Sequence, residues 1–250
     1  MRRSTTVLTS LLLGVLLFAA APVTAAGAVT PRLPDLGMGP RREFVIVRLP
    51  IGRLLRFTTE IVNVGTGPFE VTGRRASTSN RTMTVWQRVY NDDGSSTSGR
   101  TSATMNYSGD EHDHWHVNNL EGHAIRPVGS RDAIRGAKVG FCFWDTSRYR
   151  LSLPDAPQDR VYGSDACGAT PQSLETTMGL SVGWSDVYPW FVAYQWIDIS
   201  GLPDGDYFVL AQADPYVQFT EATTANNTTW TRVRTAANDQ VTVLQQGPAA

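Results

Sequence analysis

The sequence predicts a mainly β fold, a single-domain antiparallel β-sandwich with long irregular loops, on three observations. Segments of alternating polarity recur along the chain, as half-buried strands do. No window of roughly a dozen residues carries a helical apolar period. Clusters of Gly, Asp, Ser and Pro separate the alternating segments, as turns between short strands require. Composition agrees: 41% hydrophobic and 18% charged residues in a chain of 250 describe a globular protein and exclude a disordered one. A formal charge of −1 offers no basic surplus for nucleic acid and no acidic tail.

The N-terminus is set apart from this fold. Arg2 and Arg3 precede an apolar run over residues 7–21, broken only by Thr9, Ser10 and Gly14, and small residues follow around Ala25 and Ala28. This is the pattern of a secretory signal peptide over residues 1–28. The run is about 15 residues long, short of the roughly 20 that span a bilayer. The mature domain is therefore expected over residues 29–245, secreted and extracellular, with no membrane association once the signal is removed. An oxidising compartment makes Cys142 and Cys167, the two cysteines, the expected disulfide. Closing that loop stabilises the fold by roughly 3.5 kcal/mol in the chain-entropy treatment.

The strands follow in order. In residues 55–62, Leu55, Phe57, Thr59 and Ile61 face one way and Arg56, Thr58, Glu60 and Val62 the other. Residues 82–90 and 101–107 flank a Gly/Ser/Asp-rich stretch and read as a hairpin. Further strands are expected over residues 138–144, 194–199, 206–214, 228–234 and 240–244, with a tight turn at Pro203, Asp204 and Gly205. Residues 145–190 carry Pro154, Pro157, Gly163, Gly168 and Pro171 and read as one long loop without clear strands, tied down by the disulfide.

All four histidines fall within residues 112–123, as His112, His114, His116 and His123. Alternate positions diverge on a helix but share one face of a strand. Three ligands on a straight strand span about 13 Å, so a shared ion requires the strand to bend. Neutral imidazoles suit copper or zinc, and three of them leave a coordination place for water or substrate. Spacing alone does not separate the two metals. A zinc hydrolase with a metal-bound hydroxide remains open, since Glu111, Asp113 and Glu121 are at hand. So does a non-catalytic extracellular β-sandwich that only binds copper.

The His run stands in a larger order: LLRFTTEIVNVG, then HDHWH, then AKVGFCFWDT, then GLSVGWSDVYPWFVAYQWIDISGLPDGDY, then FTEATTANN. From about Leu54 to Asn227 this order resembles the lysyl oxidase family of copper amine oxidases. The resemblance implies copper on His112, His114 and His116. It implies a lysine tyrosylquinone cofactor built from Lys138 and Tyr188, and it places His123, a third catalytic candidate with these two, on a further family histidine beside the metal motif. The implied reaction is oxidative deamination of a primary amine or a peptidyl-lysine by O2, giving an aldehyde, H2O2 and ammonia. Residue chemistry supports the cofactor independently. A quinone needs an oxidisable phenol and its capture needs a primary amine, and Lys138 is the single lysine of the chain. The chain departs from the animal enzymes, which carry more disulfides: Glu111 and Trp184 stand where that pattern has cysteines, and residues 76–100 look inserted.

Overall fold

The computed structural model describes residues 28–108, 113–168 and 170–250. The leader expected over residues 1–28 lies outside these, apart from Ala28. Strand is the dominant secondary structure, every ladder is antiparallel, and the one helical piece among the described residues is a 3₁₀ turn at Ser164–Cys167.

The principal strands are β1 (Arg42–Leu49), β2 (Gly52–Asn63), β3 (Phe69–Arg74), β4 (Thr82–Asn91), β5 (Ser96–Ser108), β6 (His114–Asn118), β7 (Glu121–Pro127), β8 (Glu175–Leu180), β9 (Trp184–Tyr188), β10 (Gly205–Ala213), β11 (Thr228–Thr235) and β12 (Val241–Gln246). They form three sheets. One runs Gly140–Phe141, β6, β5, β4, β3, β8. A second runs Ile134–Arg135, β7, β10, β11, β12. The third runs Ser147–Arg148, β9, β2, Trp196–Asp198, with β1 and Leu36–Met38 also on β2. The predicted hairpin is β4–β5, with its turn narrowed to residues 92–95, so residues 82–91 and 96–100 extend a sheet rather than hang from it.

Two clusters of apolar side chains fill the interior. Leu36, Ile61, Phe69, Met105, Trp115, Phe141 and Phe143 belong to the larger, and Leu55, Phe57, Ile125, Ile197 and Val209 to the smaller. Burying each such large side chain contributes about 1.5–3 kcal/mol. Strand β2 serves both clusters. Its alternation is present, but Leu55, Phe57 and Ile61 are buried on one face while Thr58, Glu60 and Val62 are buried on the other.

Two local expectations are corrected. Residues 145–190 contain β8 and β9, so Tyr188 ends a strand rather than an irregular loop. The reason is tertiary: β8 (ETTMGL) and β9 (WSDVY) have weak strand signals of their own, and pairing with β3 and β2 makes them strands. Conversely, of residues 138–144 only Gly140–Phe141 is strand, because the chain then turns away to carry Cys142 into its disulfide with Cys167. Their Cα atoms lie 5.7 Å apart, within the range a disulfide spans.

Candidate functional site

The His run lies on β6, between β5 and the short strand Gly140–Phe141. Trp115 and Val117 point into the larger apolar cluster, which turns His114 and His116 to the opposite face. Their Nε2 atoms are 2.8 Å apart and their rings meet edge to face at 4.6 Å. His116 is 7% exposed. His112 lies outside the described residues, so the structure brings together two of the three expected ligands. Asp113, just before the strand, has φ +39°, in the left-handed region. Gly140 lets the neighbouring strand close on His116: a Cβ there would stand 3.0 Å from His116 Cβ and 3.1 Å from its Nδ1.

Lys138 leads into that neighbouring strand and is buried. Its Nζ sits 4.8 Å from the centroid of the Tyr188 ring and 5.1 Å from that of Phe141. Tyr188 reaches this position because β9 pairs with β2, setting Tyr188 opposite Thr59. The edge of the Phe141 ring meets Tyr188 at 5.3 Å, and the Tyr188 hydroxyl donates to the carbonyl of Cys142. The disulfide-bearing segment is thereby fastened to the tyrosine. Lys138 and His116 border one cavity of about 280 Å³, together with Asn106 and Tyr107 of β5 and with Tyr194.

Two residues before Tyr188, Asp186 is 2% exposed, and its Oδ2 has no hydrogen-bond partner among the described residues. Burial pushes its pKa well above the usual carboxylate range; hydrogen bonding with Tyr188 and, less, with Thr146 opposes the rise, as does the Lys138 charge, while the Glu121 charge adds to it. Burial, and then the charges of Asp186 and Glu121, likewise push the Tyr188 phenol up. Burial thus favours the neutral form of both the Tyr188 phenol and the Asp186 carboxyl group.

His123 lies apart from the His pair, on β7 in another sheet. Its Nε2 is 2.8 Å from Glu121 Oε1, and its ring packs on Phe57 at 5.3 Å and on Phe141 at 6.3 Å. Phe141 thus touches both His123 and Tyr188. His123 and Lys138 also border a second cavity, of about 570 Å³. Arg41 is fully buried, its Nη2 donating to the carbonyl of Val209. Burial lowers its pKa to about 9, against the raising effect of Glu121.

Sequence reading missed Asp186, Glu121 as the partner of His123, and Arg41. Asp186 had a signal, since it alternates with Tyr188 in WSDVY, but the segment read as loop. Arg41 had none, because an arginine is rarely fully buried.

A family model described as lysyl oxidase matches residues 70–245, a span that contains β6, Lys138 and Tyr188. No curated protein matches the chain. The match covers most of the chain and extends the resemblance of the His, Lys and Tyr segments to β12, and on that ground the chain belongs to the lysyl oxidase family.

Proposed function

We propose that this protein is a secreted copper- and quinone-dependent oxidase of primary amines. Membership of the lysyl oxidase family supports a copper-dependent amine oxidase-like role in general terms. The finer reading assigns copper to His112, His114 and His116, and lysine tyrosylquinone to Lys138 and Tyr188. The observation that carries it is the single lysine of the chain, buried, with its amine 4.8 Å from the ring centroid of Tyr188.

The described residues are compatible with both groups. His114 and His116 bring two imidazole nitrogens together, their Nε2 atoms in hydrogen-bond contact at 2.8 Å, and such a pair would hold part of a copper site. The Lys138 amine lies close to the phenol ring it would have to join. When formed, the quinone supplies an electrophilic carbonyl and a sink for two electrons, and copper supplies the redox chemistry that makes it.

The chain's own side chains do the rest. Phe141, edge-on to Tyr188, fixes the plane of that ring. Asp186, favoured in its neutral form, gives up and retakes a proton beside Tyr188, a role that its raised pKa and the free Oδ2 among the described residues suit. The cavity shared by His116 and Lys138 admits the amine, with Asn106 as a hydrogen-bonding wall. His123, held by Glu121, stiffens the far side of Phe141. The leader pattern and the disulfide support export to an oxidising compartment.

The deciding experiment is the visible spectrum of copper-loaded protein before and after phenylhydrazine, which traps quinone carbonyls. A quinone band that shifts on trapping is expected. Copper binding without any such band would leave the protein a copper-binding β-sandwich without oxidase chemistry.

A further inference from the structure

The loop that follows Tyr188 ends in an aromatic side chain at the mouth of the cavity. Tyr194 borders the same 280 Å³ space as His116 and Lys138 and is 42% exposed. Its backbone has φ +58°, a left-handed conformation that is costly for a bulky residue and that survives only where the surroundings impose it. The surroundings do so at three points. Gln195, fully buried, donates from Nε2 to the Phe57 carbonyl and the Thr59 hydroxyl on β2. The Trp196 N–H donates to the Tyr194 carbonyl at 2.7 Å. The Tyr194 ring packs on Trp196 at 5.3 Å, and Arg56 lies over Trp196 at 5.5 Å. A strained tyrosine held this firmly at a cavity mouth is a placed recognition element. A second phenol, Tyr107 of β5, borders the same cavity, edge to face with Trp115.

We propose that Tyr194 is a specificity-determining residue, which with Tyr107 makes the cavity favour small arylalkyl primary amines over straight-chain alkylamines. The proposal rests on the amine oxidase reading for what happens after binding, but not for binding itself. An arylmethyl ammonium meets such a mouth in two ways. Its ring makes aromatic contacts that contribute about 0.5–1.5 kcal/mol beyond simple burial. Its cation is attracted by the faces of phenol rings. A straight-chain amine keeps the second interaction and loses the first. A cavity of about 280 Å³ has room for one small ring with its amine.

The test measures equilibrium binding of benzylamine and n-butylamine to copper-free full-length protein by calorimetry, and kcat/KM for both amines with copper-loaded protein. Wild type, Tyr194→Phe and Tyr194→Asn are compared. Asn tolerates the left-handed backbone, so this variant removes the ring without adding strain. Thermal melting checks that each variant folds. Wild type and Tyr194→Phe are expected to prefer benzylamine about three- to tenfold, matching the aromatic contribution, and Tyr194→Asn is expected to lose that preference in both measurements. Equal binding of the two amines by wild type, or an unchanged preference in Tyr194→Asn, would overturn the proposal. If no amine is oxidised but the binding preference follows Tyr194, the oxidase reading fails and the specificity site stands. If both amines are oxidised without regard to residue 194, the reverse holds.

Discussion

Strand β10 carries two electrostatic regions at its two ends, and they are built in opposite ways. At the Gly205 end, carboxylates and guanidinium groups are matched and partly wet. Asp206 accepts from Arg232 and Arg234, and Asp239 accepts from Arg48 and Arg53, which also holds Asp204. Hydrogen bonds from Arg234 and Arg232 pull the Asp206 pKa down to about 2. Near the other end, where Ala211 pairs with His123, the charges are buried and incompletely matched. Glu121 Oε2, Asp186 Oδ2 and Arg41 Nε and Nη1 lack hydrogen-bond partners among the described residues. There the shifts run the other way, with Asp186 and Tyr188 raised and Arg41 lowered. Matched surface charges lower the free energy of the fold modestly and do no chemistry. Unmatched buried charges cost stability, and that cost is what keeps a proton available to move.

Substitutions at the buried end test this contrast most severely. Lys138→Arg and Tyr188→Phe are each expected to keep copper while amine-dependent peroxide release falls to background. Arg keeps the charge of Lys138 but is not a usable nucleophile, so the first change bears on chemistry more than on folding. Peroxide release from Lys138→Arg at the wild-type rate would defeat the oxidase reading. Asp186→Asn separates reactivity from stability. Loss of a positioned acid–base group is expected to lower amine turnover about 100- to 10,000-fold. Stability should move in the opposite direction. A carboxyl group whose folded pKa is raised favours its protonated form in the fold, so wild-type stability falls as pH rises from the ordinary carboxylate range toward the folded pKa. The variant lacks that loss, and its melting temperature relative to wild type should rise between pH 4 and pH 7. A lower relative value at pH 7 would mean that Asp186 is a structural partner instead.

How legible this was differs by residue. His114 and His116 were readable because period two puts them on one strand face whatever sheet they join. The meeting of Lys138 and Tyr188 came from resemblance, since nothing local links residues 50 apart in sequence. Strand β9 was missed because Ser185 and Asp186 are poor strand formers, made strand by β2. The pairing of His123 with Glu121 was hidden because no strand was expected over residues 121–127, although both lie on β7 two residues apart.

Two smaller effects complete the comparison. Replacing both Cys142 and Cys167 by Ser is expected to cost about 3.5 kcal/mol in the chain-entropy treatment, read by denaturant unfolding. Because the Tyr188 hydroxyl binds the Cys142 carbonyl, quinone formation should slow in the same variant. An unchanged unfolding midpoint would show that the loop is restrained without the bond. Asp206→Asn should lower the melting temperature slightly at pH 7 and leave amine turnover unchanged. Its folded pKa is depressed, so its contribution is present above the ordinary carboxylate range and disappears as pH falls toward 2. Any loss of turnover would mean that the two ends of β10 are coupled.

The burial of Lys138 has a practical consequence. It carries the one ε-amine of the chain and is 5% exposed. In copper-free protein, where the Lys138 amine has not been joined to Tyr188, an acylating reagent selective for amines should therefore leave the native side chains untouched and mark only the α-amino group. Each opening that wets the Tyr188 compartment would expose one site, and the mass of the labelled protein would rise by a single increment. The rate of that step, followed against denaturant or temperature, measures how often this compartment opens without any engineered probe.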